Sequence, residues 1–282
     1  VDWFDSIVLG LVQGLTEFLP VSSSGHLRIG HALFAKDAES LFFDIVLHVG
    51  TLLAVIGFYG RDIRNLLVDA WWTIRKEGLG RAFADSIGVR TIVAVVVATI
   101  PTGIIGVLLK DAMEGPAFTV RVVGGLLMLN GAILFASKWA GPAPAEGPEE
   151  HTGASAANAL KSLSVRNAVI LGLAQGFAVL PGISRSGSTI VTALALGVPR
   201  EQAARLSFLM SIPAILGALA LSTRHGVHVP MDELGPMITG AAVAAISGLG
   251  ALLAVVMMLR KARLHHFAWY CWALGLWALI SG

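Results

Sequence analysis

Pro181-Gly182-Ile183-Ser184-Arg185-Ser186-Gly187-Ser188-Thr189 interrupts two apolar runs, residues 168–180 and 190–196. An arginine among hydroxyls and glycines in hydrophobic sequence is unfavourable unless something anionic meets it. At a bilayer centre it costs about 2.5–3.5 kcal/mol on insertion scales. The stretch is therefore either outside a membrane or built so that Arg185 holds a negative group. Composition decides between these. The 282 residues are 55% hydrophobic and 13% charged, against about 25% charged in soluble domains, so the chain reads as a polytopic membrane protein. A formal net charge of +2, with no basic block, excludes a nucleic-acid partner. One cysteine, Cys271, in an apolar run excludes a disulfide framework and a thiolate metal site. No basic n-region followed by a cleavage site is visible at the start, so no cleavable signal peptide is expected.

The first apolar run, residues 6–19, ends at Pro20. At 1.5 Å per residue it reaches about 21 Å, short of a hydrocarbon core of about 30 Å. Val21-Ser22-Ser23-Ser24-Gly25-His26 and a second short run to about Phe34 follow. The whole reads as a re-entrant helix pair over about 6–35. Non-helical backbone at that depth needs protein or a water-filled cavity around it. Residues 41–59 are long enough to span, and 60–87 read as an amphipathic interfacial stretch with Trp71 and Trp72. Residues 88–109, with Pro101 as an expected kink, and 118–138 also read as spans. Residues 140–162, rich in Pro, Glu, Gly and Ser, read as a linker. A second re-entrant pair over about 166–197 follows, broken at Pro181-Gly182, then spans over 202–222, 236–259 and 266–281. His225 and His228 read as part of a polar loop rather than a zinc site.

The two halves repeat. Leu9-Gly10-Leu11-Val12-Gln13-Gly14 matches Leu171-Gly172-Leu173-Ala174-Gln175-Gly176 at an offset of 162, and Ser22-Ser23-Ser24-Gly25 matches Ser184-Arg185-Ser186-Gly187 at the same offset. Residues 1–139 and 163–282 each hold one broken pair followed by three spans. An odd number of spans inverts the second half. The predicted fold is an all-α polytopic membrane protein with an inverted-topology repeat, its broken helices meeting near the midplane. Charge orients it. With the loop after residue 59 inside, Arg61, Arg64, Arg75, Lys76, Arg81, Arg90, Lys138, Lys161, Arg166, Arg200, Arg205, Arg260, Lys261 and Arg263 fall inside. Only Arg28, Lys36, Lys110, Arg121 and Arg224 fall outside, which fits the positive-inside rule. The linker is then cytoplasmic and both termini are outside.

The chemistry is expected in the two breaks. Gln13 and Glu17, four apart, share a helical face, and a carboxylate at that depth needs a metal, Arg185 or a proton. One of Ser22, Ser23 and Ser24 caps the second arm, and Ser22 is best placed to do so. His26, three residues after Ser23, can meet it on the first turn; serine with histidine is the minimal arrangement for activating a hydroxyl nucleophile. The alternative is a histidine bonded only to backbone. In the second break, Ser184, Arg185, Ser186 and Thr189, with free N–H groups at a helix start, read as a phosphate cradle. The competing role is an Arg185–Glu17 pair serving structure alone. Asp44 and His48, also four apart, either support the site from behind or make simple interhelical bonds.

Gln13-x-x-x-Glu17-Phe-Leu-Pro-Val-Ser-Ser-Ser-Gly-His26 and Pro181-Gly-x-Ser-Arg-Ser-x-x-Thr189 together resemble the undecaprenyl-pyrophosphate phosphatase family, also called the bacitracin-resistance (BacA) family. The resemblance covers length, repeat, span count and both motifs. It implies an enzyme of the bacterial inner membrane that removes the terminal phosphate of a C55 isoprenoid pyrophosphate, undecaprenyl pyrophosphate. It implies a divalent cation, Mg²⁺ or Ca²⁺, a site facing the periplasm, and bacitracin as a competitor for the same lipid; a homodimer is left open. It places the nucleophile on Ser23, the histidine on His26, the phosphate-binding arginine on Arg185, and a metal or base role on Glu17. Gln13 stands where the family has Glu or Gln, which puts more weight on Glu17. Ser24 stands where many members have threonine. The acid-phosphatase-like lipid phosphatases also use Ser-Gly-His and Ser-Arg pieces, but their final His-x-x-x-Asp is missing after Ser184-Arg185. The rival class is a carrier that flips the prenyl phosphate, since inverted repeats with broken helices are also a transporter architecture. A pure carrier has no need of Ser23, His26, Glu17 and Arg185 together, and a scaffold leaves all the buried charges unexplained.

Overall fold

The computed structural model describes residues 2–33, 41–115, 118–140, 164–224, 230–261 and 263–282. The linker beyond Ala140, His225, His228 and the first re-entrant pair beyond Leu33 lie outside the described residues. All regular structure among the described residues is helical. The first break separates α1 (Trp3–Phe18) from α2 (Ser23–Leu33). Then come α3 (Leu41–Asp85), α4 (Ile87–Glu114) and α5 (Val120–Ala136). The second break separates α6 (Val165–Phe177) from α7 (Arg185–Ala195), followed by α8 (Arg200–Thr223), α9 (Met231–Arg260) and, after a 3₁₀ turn at Leu264–His266, α10 (Phe267–Ser281).

Four of these are long and apolar enough to cross a membrane: Phe42–Asp85, Ile87–Met113, Arg200–Thr223 and Met231–Leu259. On the outer face of α4, Val96, Ile100, Ile104 and Leu108 recur one turn apart and are exposed, as a lipid-facing stripe must be. The chain is a multi-pass, all-α membrane protein. One expectation changes. Residues 41–59 and 60–87 are not separate elements: the helix that starts at Leu41 runs through this boundary as far as a kink at Gly78, beyond which it resumes to Asp85. Nothing between Phe58 and Arg64 halts the backbone ladder; it is interrupted only at Gly78, whose φ of 75° is left-handed. The segments 118–138 and 266–281 hold helices of 17 and 15 residues, about 26 and 22 Å long. They lie against each other where a Cβ on Gly275 would sit 2.8 Å from Gly124 O.

The repeated Leu-Gly-Leu-x-Gln-Gly motif has a packing reason. Small residues let helix backbones touch where lipid supplies no hydrophobic drive. α1 packs on α9, and a Cβ at Gly10 or Gly14 would lie 2.5 Å from Gly240 O or Ala244 O. α6 packs on α4, where a Cβ on Gly172 would press on Ala98 O and Pro101. Each short arm thus leans on a long helix of the opposite half. Pro101 sits inside α4, and the neighbouring Thr102 Oγ1 donates to Ala98 O (2.8 Å) and Gly172 O (3.0 Å). These contacts bring both breaks to one place, where Phe18 at the end of α1 meets Phe208 of α8 edge-on at 5.5 Å.

Gly14→Ala is expected to lower stability by about 1–3 kcal/mol, because the carbonyl it meets is backbone and cannot rotate away. Gly103→Ala, on the same scale, should do nothing adverse, since no atom lies within 4 Å of its added methyl. Thermal unfolding of both variants in one detergent checks this.

Candidate active site

Glu17 is the centre of the site. It is carried on the last turn of α1, 6% exposed, just before the chain leaves the helix. Its Oε2 accepts from Ser23 Oγ at 2.5 Å and from Gln13 Nε2 at 2.9 Å, and His48 Nε2 lies 3.5 Å away. Its Oε1 pairs with Arg185 Nη2, from the other half of the chain. A carboxylate taken from water is stabilised only when its lone pairs are met this fully. Arg185 Nη1 reaches Ser211 O on α8 at 3.5 Å. The guanidinium has five N–H donors, so these contacts leave donors over.

The two breaks hold each other. Ser22 has φ 69°, a left-handed conformation uncommon for serine. Its Oγ accepts from Gly25 N–H (3.3 Å) within its own arm and from Gly182 N–H (3.0 Å) in the other break. Gly182 has φ 111°, and a Cβ there would meet Val123 O at 2.7 Å. Asn130 of α5, fully buried, ties both sides. Its amide donates to Pro20 O (2.9 Å) and Cys271 Sγ (3.3 Å), and its Oδ1 accepts from Ser184 N–H (3.0 Å).

The residues expected in the phosphate cradle are placed as follows. Arg185 reaches the Glu17–Ser23 cluster. Ser184 Oγ caps α7, accepting from Gly187 N–H at 3.0 Å, and lies 3.1 Å from Ser186 Oγ. Ser186 Oγ donates to Phe18 O at 3.2 Å. Thr189 Oγ1 is 2.8 Å from Arg185 O and 2.5 Å from Ser207 Oγ, locking α7 to α8. These three hydroxyls are committed to protein partners. What the start of α7 offers a ligand is its backbone: among the described residues no acceptor meets the N–H of Arg185 or Ser186.

Ser23 and His26 do not bond to each other, although their spacing allows it. His26 Nδ1 is 2.7 Å from Ser22 O and its Nε2 is 2.7 Å from Tyr270 OH on α10. Behind Glu17, His48 Nδ1 donates to Asp44 O (2.7 Å), and the Asp44 carboxylate meets His31 Nε2 at 3.0 Å. Gln13 Oε1 is buried without a hydrogen-bond partner. No group of three or more His, Cys, Asp or Glu among the described residues is arranged to hold a metal by itself.

The model of the BacA family, the bacitracin resistance proteins, matches residues 6–277. The chain belongs to the BacA family. An undecaprenyl-diphosphatase of Desulforapulum autotrophicum is 36% identical over 286 residues, 100% of this chain and 99% of its own. One from Methanosphaera stadtmanae is 38% identical over 285 residues, 99% of this chain and 98% of its own. Undecaprenyl-diphosphatase 2 of Streptomyces avermitilis is 34% identical, over 98% of this chain and 93% of its own. The candidate site draws on both halves: Gln13, Glu17, Ser23 and His26 from one, Arg185 and Tyr270 from the other. Sequence reading missed Asn130 and Tyr270. A lone amide in the apolar run of α5 is itself a signal. Nothing local marks a tyrosine that pairs across 244 positions.

Asn130→Ala leaves the Ser184 N–H buried without a partner and the Pro20 carbonyl with only the long Cys271 thiol contact of 3.9 Å. The expected loss is about 2–4 kcal/mol, read as a fall in Tm.

Proposed function

We propose that the protein hydrolyses the terminal phosphate of undecaprenyl pyrophosphate, giving undecaprenyl phosphate and inorganic phosphate. The observation that carries this reading is Ser23 Oγ bonded to a buried carboxylate that also meets Arg185. A hydroxyl, a proton acceptor and a cationic fork converge inside the membrane, where a lipid's diphosphate can reach them. The enzyme's name borne by the relatives supports it, and the carrier reading gains nothing from them.

The diphosphate enters where the two breaks meet, and its prenyl chain stays in lipid. Spare N–H groups of Arg185 and the first N–H groups of α7 hold the oxygens of the terminal phosphoryl group. Ser23 Oγ attacks that phosphorus as its proton passes to Glu17 Oε2. The bond to the bridging oxygen breaks, and its electron pair leaves with undecaprenyl phosphate. Water then attacks the phosphoserine, the P–Oγ bond breaks, Oγ recovers the proton from Glu17, and the phosphate departs as the dihydrogen anion, carrying both protons of the water. Glu17 is the better-placed base, since His26 Nε2 is occupied by Tyr270. In the alternative, an activated water attacks directly and Ser23 only positions it. Ser184, Ser186 and Thr189 act by shaping the cradle.

A divalent cation, Mg²⁺ or Ca²⁺, belongs to this proposal. One carboxylate (Glu17) and one unpartnered amide oxygen (Gln13 Oε1) fit a hard cation that takes its other ligands from substrate phosphates and water. It would offset charge on the diphosphate. Asp44 and His48 brace Glu17 from behind.

The halves are inverted in this reading. The reciprocal packing, α1 on α9 and α6 on α4, supports it, as does the excess of Lys and Arg in the loops assigned to the inside. The linker is then cytoplasmic, and the site faces the outside of the inner membrane. There bacitracin would compete for the same lipid, as the family's name suggests. A homodimer is compatible with a site drawn from one chain.

The test is phosphate release from a long-chain prenyl pyrophosphate by purified protein in detergent. EDTA should abolish release, and added Mg²⁺ or Ca²⁺ should restore it. Arg185→Ala should lower kcat by about 10²–10³-fold if the guanidinium meets charge in the transition state. Ser23→Ala should fall at least as far; near-normal turnover would shift attack to water. No release by folded wild type overturns the reading, and lipid flipping in proteoliposomes would be measured next.

A further inference from the structure

We infer that Tyr270 is a positioning residue for Ser23, acting through His26 and the backbone of the first break. The inference rests on the phosphatase reading. Its starting point is a hydrogen-bond sequence whose directions are fixed by chemistry. His26 Nδ1 lies 2.7 Å from Ser22 O. A carbonyl oxygen only accepts, so Nδ1 carries a proton. In the neutral ring Nε2 then holds a lone pair. Tyr270 OH, 2.7 Å from Nε2, is the donor to it. The two rings are nearly parallel, 2° apart, so the phenol fixes both the tautomer and the plane of the imidazole.

The far end of that sequence is Ser22. Its φ of 69° is a strained conformation, of the kind that persists only where surroundings over-determine it. His26 grips its carbonyl, and Gly182 N–H and Gly25 N–H grip its hydroxyl. Ser23 is the next residue. The direction of its Oγ towards Glu17 therefore depends on how Ser22 is held. Tyr270 is itself held: its neighbour Cys271 is fully buried and accepts from Asn130, which also bonds Pro20 O. The last helix is thereby pinned beside the break it steadies. A second consequence concerns proton traffic. With its one basic nitrogen occupied, His26 does not compete with Glu17 for the proton of Ser23.

A tyrosine that is 48% exposed on an apolar helix has an ordinary explanation, an aromatic anchor at the membrane interface. The two roles separate on the hydroxyl. Tyr270→Phe keeps the ring and removes the donor; Tyr270→Leu removes both. If Tyr270 positions, Phe should be as poor as Leu. Its kcat should fall about tenfold, the size of one hydrogen bond, with KM unchanged. In a His26→Gln background Tyr270→Phe should cost nothing more, because the group it acts through is gone. Nitrogen-15 spectra should show wild-type His26 in the single Nδ1-protonated form and the Phe variant as a mixture of tautomers. The His26 signals among eight histidines are found by difference against His26→Gln. Wild-type kcat in Tyr270→Phe, an additive loss in the His26→Gln background, or unchanged His26 tautomers would overturn the inference. Absence of phosphate release by wild type would sink the phosphatase reading instead, and the nitrogen-15 comparison would still report whether Tyr270 holds the ring.

Discussion

One buried carboxylate organises this molecule. Glu17 is buried on the last turn of a short helix, and it is stable there only because it is met on all sides. Arg185, Ser23 and Gln13 reach it from three helices and both halves of the chain. Removing one member of such a buried pair typically costs about 3–5 kcal/mol, because the other charge is left uncompensated. The breaks must therefore be where they are. If α1 or α7 continued through its Pro-containing turn, the two side chains would be carried past each other. Packing serves this placement: the glycine contacts of α1 with α9 and α6 with α4 set the short arms at the depth where the charges meet.

Much of this was legible in the chain. Short apolar runs stopped by Pro20 and Pro181, with hydroxyls and glycines after each, mark broken helix pairs, and α1/α2 and α6/α7 break where those prolines stand. Glu17 and Arg185 were findable for the same reason that they are unfavourable in hydrocarbon. Less legible was what the hydroxyls do. Ser184, Ser186 and Thr189 share the composition of a phosphate-binding loop, yet their Oγ atoms close a helix cap, a tie to Phe18 O and a bolt to Ser207. Spacing along a helix says which side chains share a face, not which neighbour arrives from another helix. That also hid Tyr270 from His26, and it let Ser23 look like a partner of His26 when the carboxylate six residues earlier takes its proton donor.

The two breaks differ in backbone as well as in chemistry. At the repeat offset of 162, Ser23 corresponds to Arg185 and Ser22 to Ser184. Ser22 is left-handed, with φ 69°, and accepts from Gly182 N–H in the other break, whereas Ser184 is extended, with φ −80°, and accepts from Gly187 N–H in its own helix. One break thus presents a hydroxyl and the other a guanidinium. In the proposed reaction this difference separates the attacking group from the group that steadies the phosphoryl oxygens.

The 168 residues between Glu17 and Arg185 have a consequence for how the protein is made. At about 5–20 residues per second, the ribosome delivers the arginine roughly ten to thirty seconds after the carboxylate. Throughout that interval the first re-entrant pair has no guanidinium to meet its carboxylate and no Gly182 to hold Ser22. The Glu17–Arg185 pair can therefore form only after the second break has been made, and until then the carboxylate must be met by water or a proton.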